Sequence, residues 1–374
     1  MRATYIPPKF DNAVQRDFTR TLMKRVDDYF RSNKVSRNAN FNLYFKTFVV
    51  FAMYFVPYAV IMSQLVGSSL GVLGLYIVQG FGIACIGLCV MHDANHGAYS
   101  NKKWVNSLLS YSLNVIGGSS TNWRVQHNYK HHTYTNVEGH DDDIAPVGML
   151  RFSPHSKFKP VHKYQHLYAW FFYGLMTISW VFMKDYKELV IYHRDGLLDK
   201  VKADFRKELV IMILSKVVYM AYMLVLPLWL TDYSPGLIIG GFFLMHFIAG
   251  MSLALIFQPA HVLEDNEFLE LDESHKINDS WFAHQLKTTA DFAHRNKLFS
   301  WFIGGLNYQV EHHLFPSIAH VHYPKIAPIV KETAEEFGLP YHSFRTFRGA
   351  VKAHFKMLKN LGDPTIGERY RQAS

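Results

Sequence analysis

Three groups of histidines decide what chemistry this 374-residue chain can perform. His92-Asp93-Ala94-Asn95-His96 sets two imidazoles four residues apart, and His127-Asn128-Tyr129-Lys130-His131-His132 repeats that spacing and adds a neighbouring histidine. Residues four apart lie one turn apart on the same helix face, so each such pair can grip one metal ion. Adjacent residues on a regular helix point about 100° apart, so His131 and His132 do not readily serve the same ion. Gln309-Val310-Glu311-His312-His313 poses the same problem again. Two segments that each carry adjacent histidines favour a centre with two ions over a centre with one. Imidazole suits iron, zinc, copper or nickel, so ligand type leaves the metal open. The seven grouped histidines exceed what one zinc uses, since such sites take about three or four protein ligands. Asp93 and Glu311 lie inside the groups, where a carboxylate can orient an imidazole N–H. Isolated histidines such as His246, His320 and His322 read as hydrogen-bonded structural residues.

The elements that must carry these groups are long and apolar. Four segments, Tyr44 to Val66, Ser68 to Met91, Leu209 to Leu230 and Pro235 to Phe257, have the length to cross about 30 Å of hydrocarbon as helices. The turns within each pair are short and lack Lys and Arg. Nine Lys and Arg residues precede Tyr44, which the positive-inside rule places in the cytosol with both short turns outward. A fifth apolar run, His166 to Met183, is long enough to span, but spanning would put the later histidines on the opposite side from His92. It therefore reads as an interfacial or half-inserted helix, in keeping with Tyr168, Trp170, Tyr173 and Trp180. Cys85 and Cys89 fall inside the second apolar segment and read as small hydrophobes, not as a disulfide. The net charge of +9 comes from dispersed basic residues flanking apolar segments, which fits contact with lipid headgroups and not with nucleic acid. No apolar leader core occurs in the first forty residues, so no signal peptide is expected. The expected organisation is a cytosolic segment 1–43, a membrane domain 44–330 and a cytosolic segment 331–374.

At these residues the chain resembles the membrane fatty acid desaturases, whose three histidine boxes have the forms HxxxH, HxxHH and either HxxHH or QxxHH. Here they read HDANH, HNYKHH, a wider HxxxHH form, and QVEHH. The likeness runs from about Tyr44 to about Pro328 and includes Gly139-His-Asp-Asp-Asp-Ile, Gln258-Pro-Ala-His261 and the stretch from Gly304 to Pro316. The glutamine opening the third box is similar to the front-end group, which includes linoleoyl-CoA and sphingolipid desaturases. The resemblance implies an all-α integral membrane bundle of four helices in two hairpins, with a cytosolic helical cap holding a histidine-ligated di-iron centre beside a narrow acyl tunnel. Carried over residue by residue, it implies His92, His96, His127, His131, His132, His312 and His313 as ligands of two iron ions. His261 resembles a further ligand found just after the fourth membrane helix. Gln309 is expected to bond a water or a ligand, and His284 recurs in similar sequences without an arguable role.

Breaking an unactivated methylene C–H bond lies beyond any side-chain acid or base, so a metal–oxygen oxidant is required. The expected reaction uses O2 and iron cycling between Fe2+ and Fe3+ to remove two hydrogens from adjacent carbons of a fatty acyl-CoA or acyl-lipid, leaving a cis double bond. Many front-end desaturases carry a fused haem domain with a His-Pro-Gly-Gly motif, and that motif does not occur here. Electrons are therefore expected from a ferredoxin or a cytochrome b-type protein with its NAD(P)H reductase, docking on the basic cytosolic surface. No Gly-rich dinucleotide fingerprint follows a strand. A hydroxylase or a sphingolipid desaturase of the same architecture is the nearest alternative, with product mass separating hydroxylation from desaturation. A metal transporter is the alternative outside enzymes, but its histidines would line the interior of the apolar runs, whereas these sit at helix ends and in polar loops. A bacterial inner membrane is the expected location, with the endoplasmic reticulum as the alternative.

Overall fold

The computed structural model describes residues 5–145 and 148–373, and it is helical apart from two pairs of short parallel strands. The strand pairs, Lys9–Phe10 with Lys276–Ile277 and Ala290–Phe292 with His342–Phe344, are a departure from the all-α expectation. They are two and three residues long, too short to leave a pattern of alternating burial in the sequence.

Four helices among the described residues are long and apolar enough to cross a membrane: Phe41–Met62, Ser69–Asn95, Phe205–Leu230 and Pro235–His261. Their starts are written locally. Asn40, Ser68 and Asp204 each accept a backbone N–H three residues on, from Leu43, Gly71 and Lys207 respectively, which satisfies one of the orphan donors of a helix N-terminus. The second helix runs one turn beyond the expected Met91 and so carries His92. The fourth continues through Pro259, so His261 is its final residue and does not follow it.

The chain divides into two compact units. The first gathers Ala39–Val125 with Phe171–Leu255. Its first and second apolar helices touch at Gly82, where a Cβ would lie 2.9 Å from the backbone nitrogen of Tyr54, so only glycine allows this approach. Inside it, Lys216 Nζ donates to Gly117 O, Trp180 O and Asp185 Oδ2 at 2.7–2.9 Å. Cys85 and Cys89 are buried thiols, not joined in a disulfide. The fifth apolar run is not one straight span: helices Gln165–Gly174 and Met176–Ser179 are interrupted at Leu175.

The second unit gathers the chain up to Asn38, Gln126–Trp170 and the chain from Ile256. The amphipathic helix Arg16–Ser32 buries Phe18, Leu22, Val26 and Phe30, a stripe with the period of one helix face, against Ile326, Val330 and Ala334 of helix Tyr323–Glu336. That cluster continues into Val310 and Leu314 and thereby braces the third histidine box.

Candidate metal centre

The second box does not lie on a regular α-helix. Arg124–His131 is wound as a π-helix, whose hydrogen bonds close from residue i to i+5. This winding brings residues five apart to neighbouring positions on one face, and His127 Nε2 lies 3.1 Å from His132 Nε2. His132 Nε2 also lies 2.8 Å from His312 Nε2, which arrives on the short helix Gln309–Leu314. A second group forms alongside, in which ring nitrogens of His131, His261 and His313 lie within 4.8 Å of one another. His131 and His132 thus fall in different groups, and His313 is within reach of both.

Each ring of the second group is held by its Nδ1. His131 Nδ1 faces Asp141 at 3.1 Å, His313 Nδ1 donates to Gln285 Oε1 at 2.8 Å, and His261 Nδ1 donates to Thr288 O at 3.3 Å. An imidazole that gives its Nδ1–H to a fixed acceptor presents the Nε2 lone pair. Burial would push the His131 imidazole down, but the Asp141 and Asp143 carboxylates outweigh it and raise the ring to about 9, so the Nε2 lone pair is available only where a metal ion displaces the proton. Asp141 is held below the usual carboxylate range despite its burial, by His131 and by the backbone N–H groups of Asn136 and Asp143. Asn136 sits at φ 57°, a conformation that asparagine tolerates better than bulkier residues, and its amide donates to His261 O at 3.0 Å. The end of the second box is tied to His261 in this way.

In the first unit, His92 and His96 lie on the last turns of the second apolar helix with ring centroids 4.8 Å apart, and each packs against Trp123 at 5.5 Å. Asp93 is buried, with a carboxylate oxygen 3.8 Å from His92 Nδ1. Gln309 is fully buried and its side-chain amide bears on His261 of the second group. His284 stands outside both groups, packed on Phe10 at 5.4 Å, and burial lowers it to about 4, so it is neutral. Glu311 lies outside both groups and gathers instead with Asp291 and His294. Its carboxyl is raised well above the usual range by burial and by Asp291, and the Tyr341 hydroxyl lies 3.0 Å from Glu311 and 2.7 Å from Asp291. Asp291 Oδ2 also faces His294 Nε2 at 2.9 Å, so the buried carboxylates share the Tyr341 hydroxyl and the His294 ring between them.

The model of the family described as fatty acid desaturase matches residues 67–345. The chain belongs to the fatty acid desaturase family. A sn-1 linoleoyl-lipid 6-desaturase of Arthrospira platensis is 37% identical over 351 residues, covering 92% of this chain and 92% of that protein. The enzyme of the same name from Synechocystis is 36% identical over 350 residues, covering 93% and 96%. An acyl-lipid (8-3)-desaturase of Physcomitrium patens is 34% identical over 360 residues, covering 95% and 73%. These relatives are of the front-end type, the group to which the glutamine-led third box pointed.

The residues of this desaturase fit a metal. His131 Nε2 is buried with no hydrogen-bond partner among the described residues. The two Nε2–Nε2 approaches of His132 leave room for one proton per contact at most, whereas a cation accepts every lone pair present. The sequence reading missed Asp141, Gln285 and Thr288, which hold the rings, and Asp291 with Tyr341, which hold the third box. Three consecutive aspartates after box two were the one visible signal; the others are unremarkable polar residues far from the boxes in sequence.

Proposed function

We propose that this desaturase inserts a cis double bond into the acyl chain of a membrane glycerolipid, on the carboxyl side of an existing double bond. The observation that carries this is the pair of imidazole groups sharing His313, each within reach of one ion, together with the names of the acyl-lipid relatives. The metal is taken as two iron ions, with His127, His131, His132, His261, His312 and His313 as ligands on geometry and His92 and His96 on the box-one motif. When bound, iron supplies reduction of O2 to the oxidant that cleaves C–H bonds. Two hydrogens leave the chain, two electrons and two protons come from outside, and both oxygen atoms leave as water. The protein's own part is placement: Asp141, Gln285 and Thr288 fix the rings, and the buried, apolar surroundings exclude water. Electrons come from a separate ferredoxin or cytochrome b-type donor with its NAD(P)H reductase. The positive-inside pattern supports a site on the cytosolic face, with residues 1–43 and 331–374 as cytosolic flanks of a membrane domain 44–330; the membrane is read as a bacterial inner membrane, with the endoplasmic reticulum as the alternative.

The test is expression in a host of simple fatty acids fed linoleate, with mass spectrometry of total lipids beside a His312→Ala control. A polyunsaturated product two hydrogens lighter, absent from the control, supports the proposal. A product heavier by one oxygen reassigns the protein as a hydroxylase.

A further inference from the structure

The first unit holds a polar cavity of about 330 Å³ beside His96 that the removal of hydrogen does not require. One wall is the short helix Lys103–Ser110. Lys103, Asn106, Ser107 and Ser110 follow the i, i+3, i+4, i+7 spacing of a single helix face, and all four line the cavity. A flanking ridge carries Trp104 and Leu108, one turn apart and 65% and 64% exposed. A helix with an outward aromatic and aliphatic ridge and an inward polar face is suited to lie at the level of lipid headgroups. Across the cavity stands Arg124, whose Nη2 donates to Thr121 Oγ1 at 3.2 Å. Its Nε is buried and has no hydrogen-bond partner among the described residues. The lining contains two cations, Lys103 and Arg124, and no carboxylate.

We propose that this cavity receives the polar headgroup of the lipid substrate, through its phosphate or sugar oxygens. The inference rests on the acyl-lipid reading above. The lining offers Lys103, Arg124, Asn106 and serine hydroxyls as donors to headgroup oxygens, and the Glu208 carboxylate meets Arg124 only through Thr121 Oγ1. The volume suits one sugar ring or one phosphoglycerol unit and falls well short of a CoA nucleotide with its pantetheine arm. Seating the headgroup next to box one gives the enzyme a fixed origin from which carbons are counted along otherwise identical methylenes. Lys103 and Arg124 are then specificity-determining residues for a bond placed by distance from the glycerol end.

The full-length protein, in nanodiscs with a ferredoxin system, is assayed on linoleoyl monogalactosyldiacylglycerol and, separately, on linoleoyl phosphatidylglycerol. The variants are Lys103→Ala, Arg124→Ala and Ser107→Trp, the last filling the cavity from an exposed position and carrying the test should Arg124→Ala fail to fold. Lipid retained on purification, iron content, KM and kcat are measured for each. The expected result is a rise in KM of about tenfold for Arg124→Ala, less retained lipid in all three variants, and unchanged iron content. An effect confined to the galactolipid assigns a sugar, one confined to phosphatidylglycerol assigns a phosphate, and either supports the cavity as the headgroup site. Unchanged KM on both lipids in folded variants overturns it while leaving the acyl-lipid reading intact. Wild-type activity on linoleoyl-CoA and on neither lipid overturns that reading, and the cavity assignment with it.

Discussion

Replacing Asp141 with asparagine removes the nearer of the two charges on which His131 relies, leaving Asp143 Oδ2 at 3.4 Å, while keeping the side chain's size. The two carboxylate oxygens lie 3.2 and 3.1 Å from His131 Nδ1, and they also accept the backbone N–H groups of Asn136 and Asp143 at 2.9 Å each. An amide has one oxygen where the carboxylate had two, so its NH2 must face either a backbone N–H or the imidazole N–H. A hydrogen bond to a charged group is worth about 1.5–3 kcal/mol. Loss of the outer partner of a ligating histidine lowers metal affinity about 10–100-fold, which at about 1.4 kcal/mol per decade is the same range. The assay is iron retained per chain after dialysis against a graded series of chelator, for the wild type and Asp141→Asn. The midpoint should move by one to two decades toward weaker chelation. Superimposable curves, with both proteins folded, would refute the idea that Asp141 orients a ligand.

Three further outcomes are expected. Lys216→Met strands the buried Asp185 carboxylate and should lower unfolding stability by about 3–5 kcal/mol, with most of the loss recovered in Lys216→Met/Asp185→Leu; thermal melts in detergent that do not distinguish single from double variant would contradict this. Tyr341→Phe takes the hydroxyl from Asp291, 2.7 Å away, and should cost about 1–3 kcal/mol in the same melts, together with a measurable loss of retained iron because Asp291 also accepts the Val310 N–H at the start of box three. His354 is lowered by burial to about 4. A depressed histidine contributes stability that is complete above the unfolded value of about 6.5 and is lost as pH falls toward the folded value. Wild-type stability should therefore decline between about pH 6.5 and 4, and His354→Gln should flatten part of that slope; parallel wild-type and variant profiles would count against it.

Much of the fold was open to view in the sequence. Apolar runs of about twenty residues can be satisfied in lipid only as helices, so the four helices were found with ends displaced by a few residues. The displacements matter at two places: Ser69–Asn95 runs on to carry His92, and Pro235–His261 runs on to carry His261. Neither strand pair was foreseen, because two or three residues of parallel pairing are set by contacts distant in sequence. Box two was read on a regular helix, and its π winding could not be seen, since hydrophobic period does not register one wide turn.

The sequence by itself determined which residue types are present and how they are spaced: three boxes, their adjacent histidines, the apolar helices that must precede them, and hence the expectation of more than one ion. Only the tertiary structure decided which nitrogen of each ring is offered. That choice is made by acceptors such as Asp141, Gln285 and Thr288, which come close through folding and not through spacing. An imidazole becomes a directed ligand when its other nitrogen is held, and the holding groups lie up to 28 residues away along the chain.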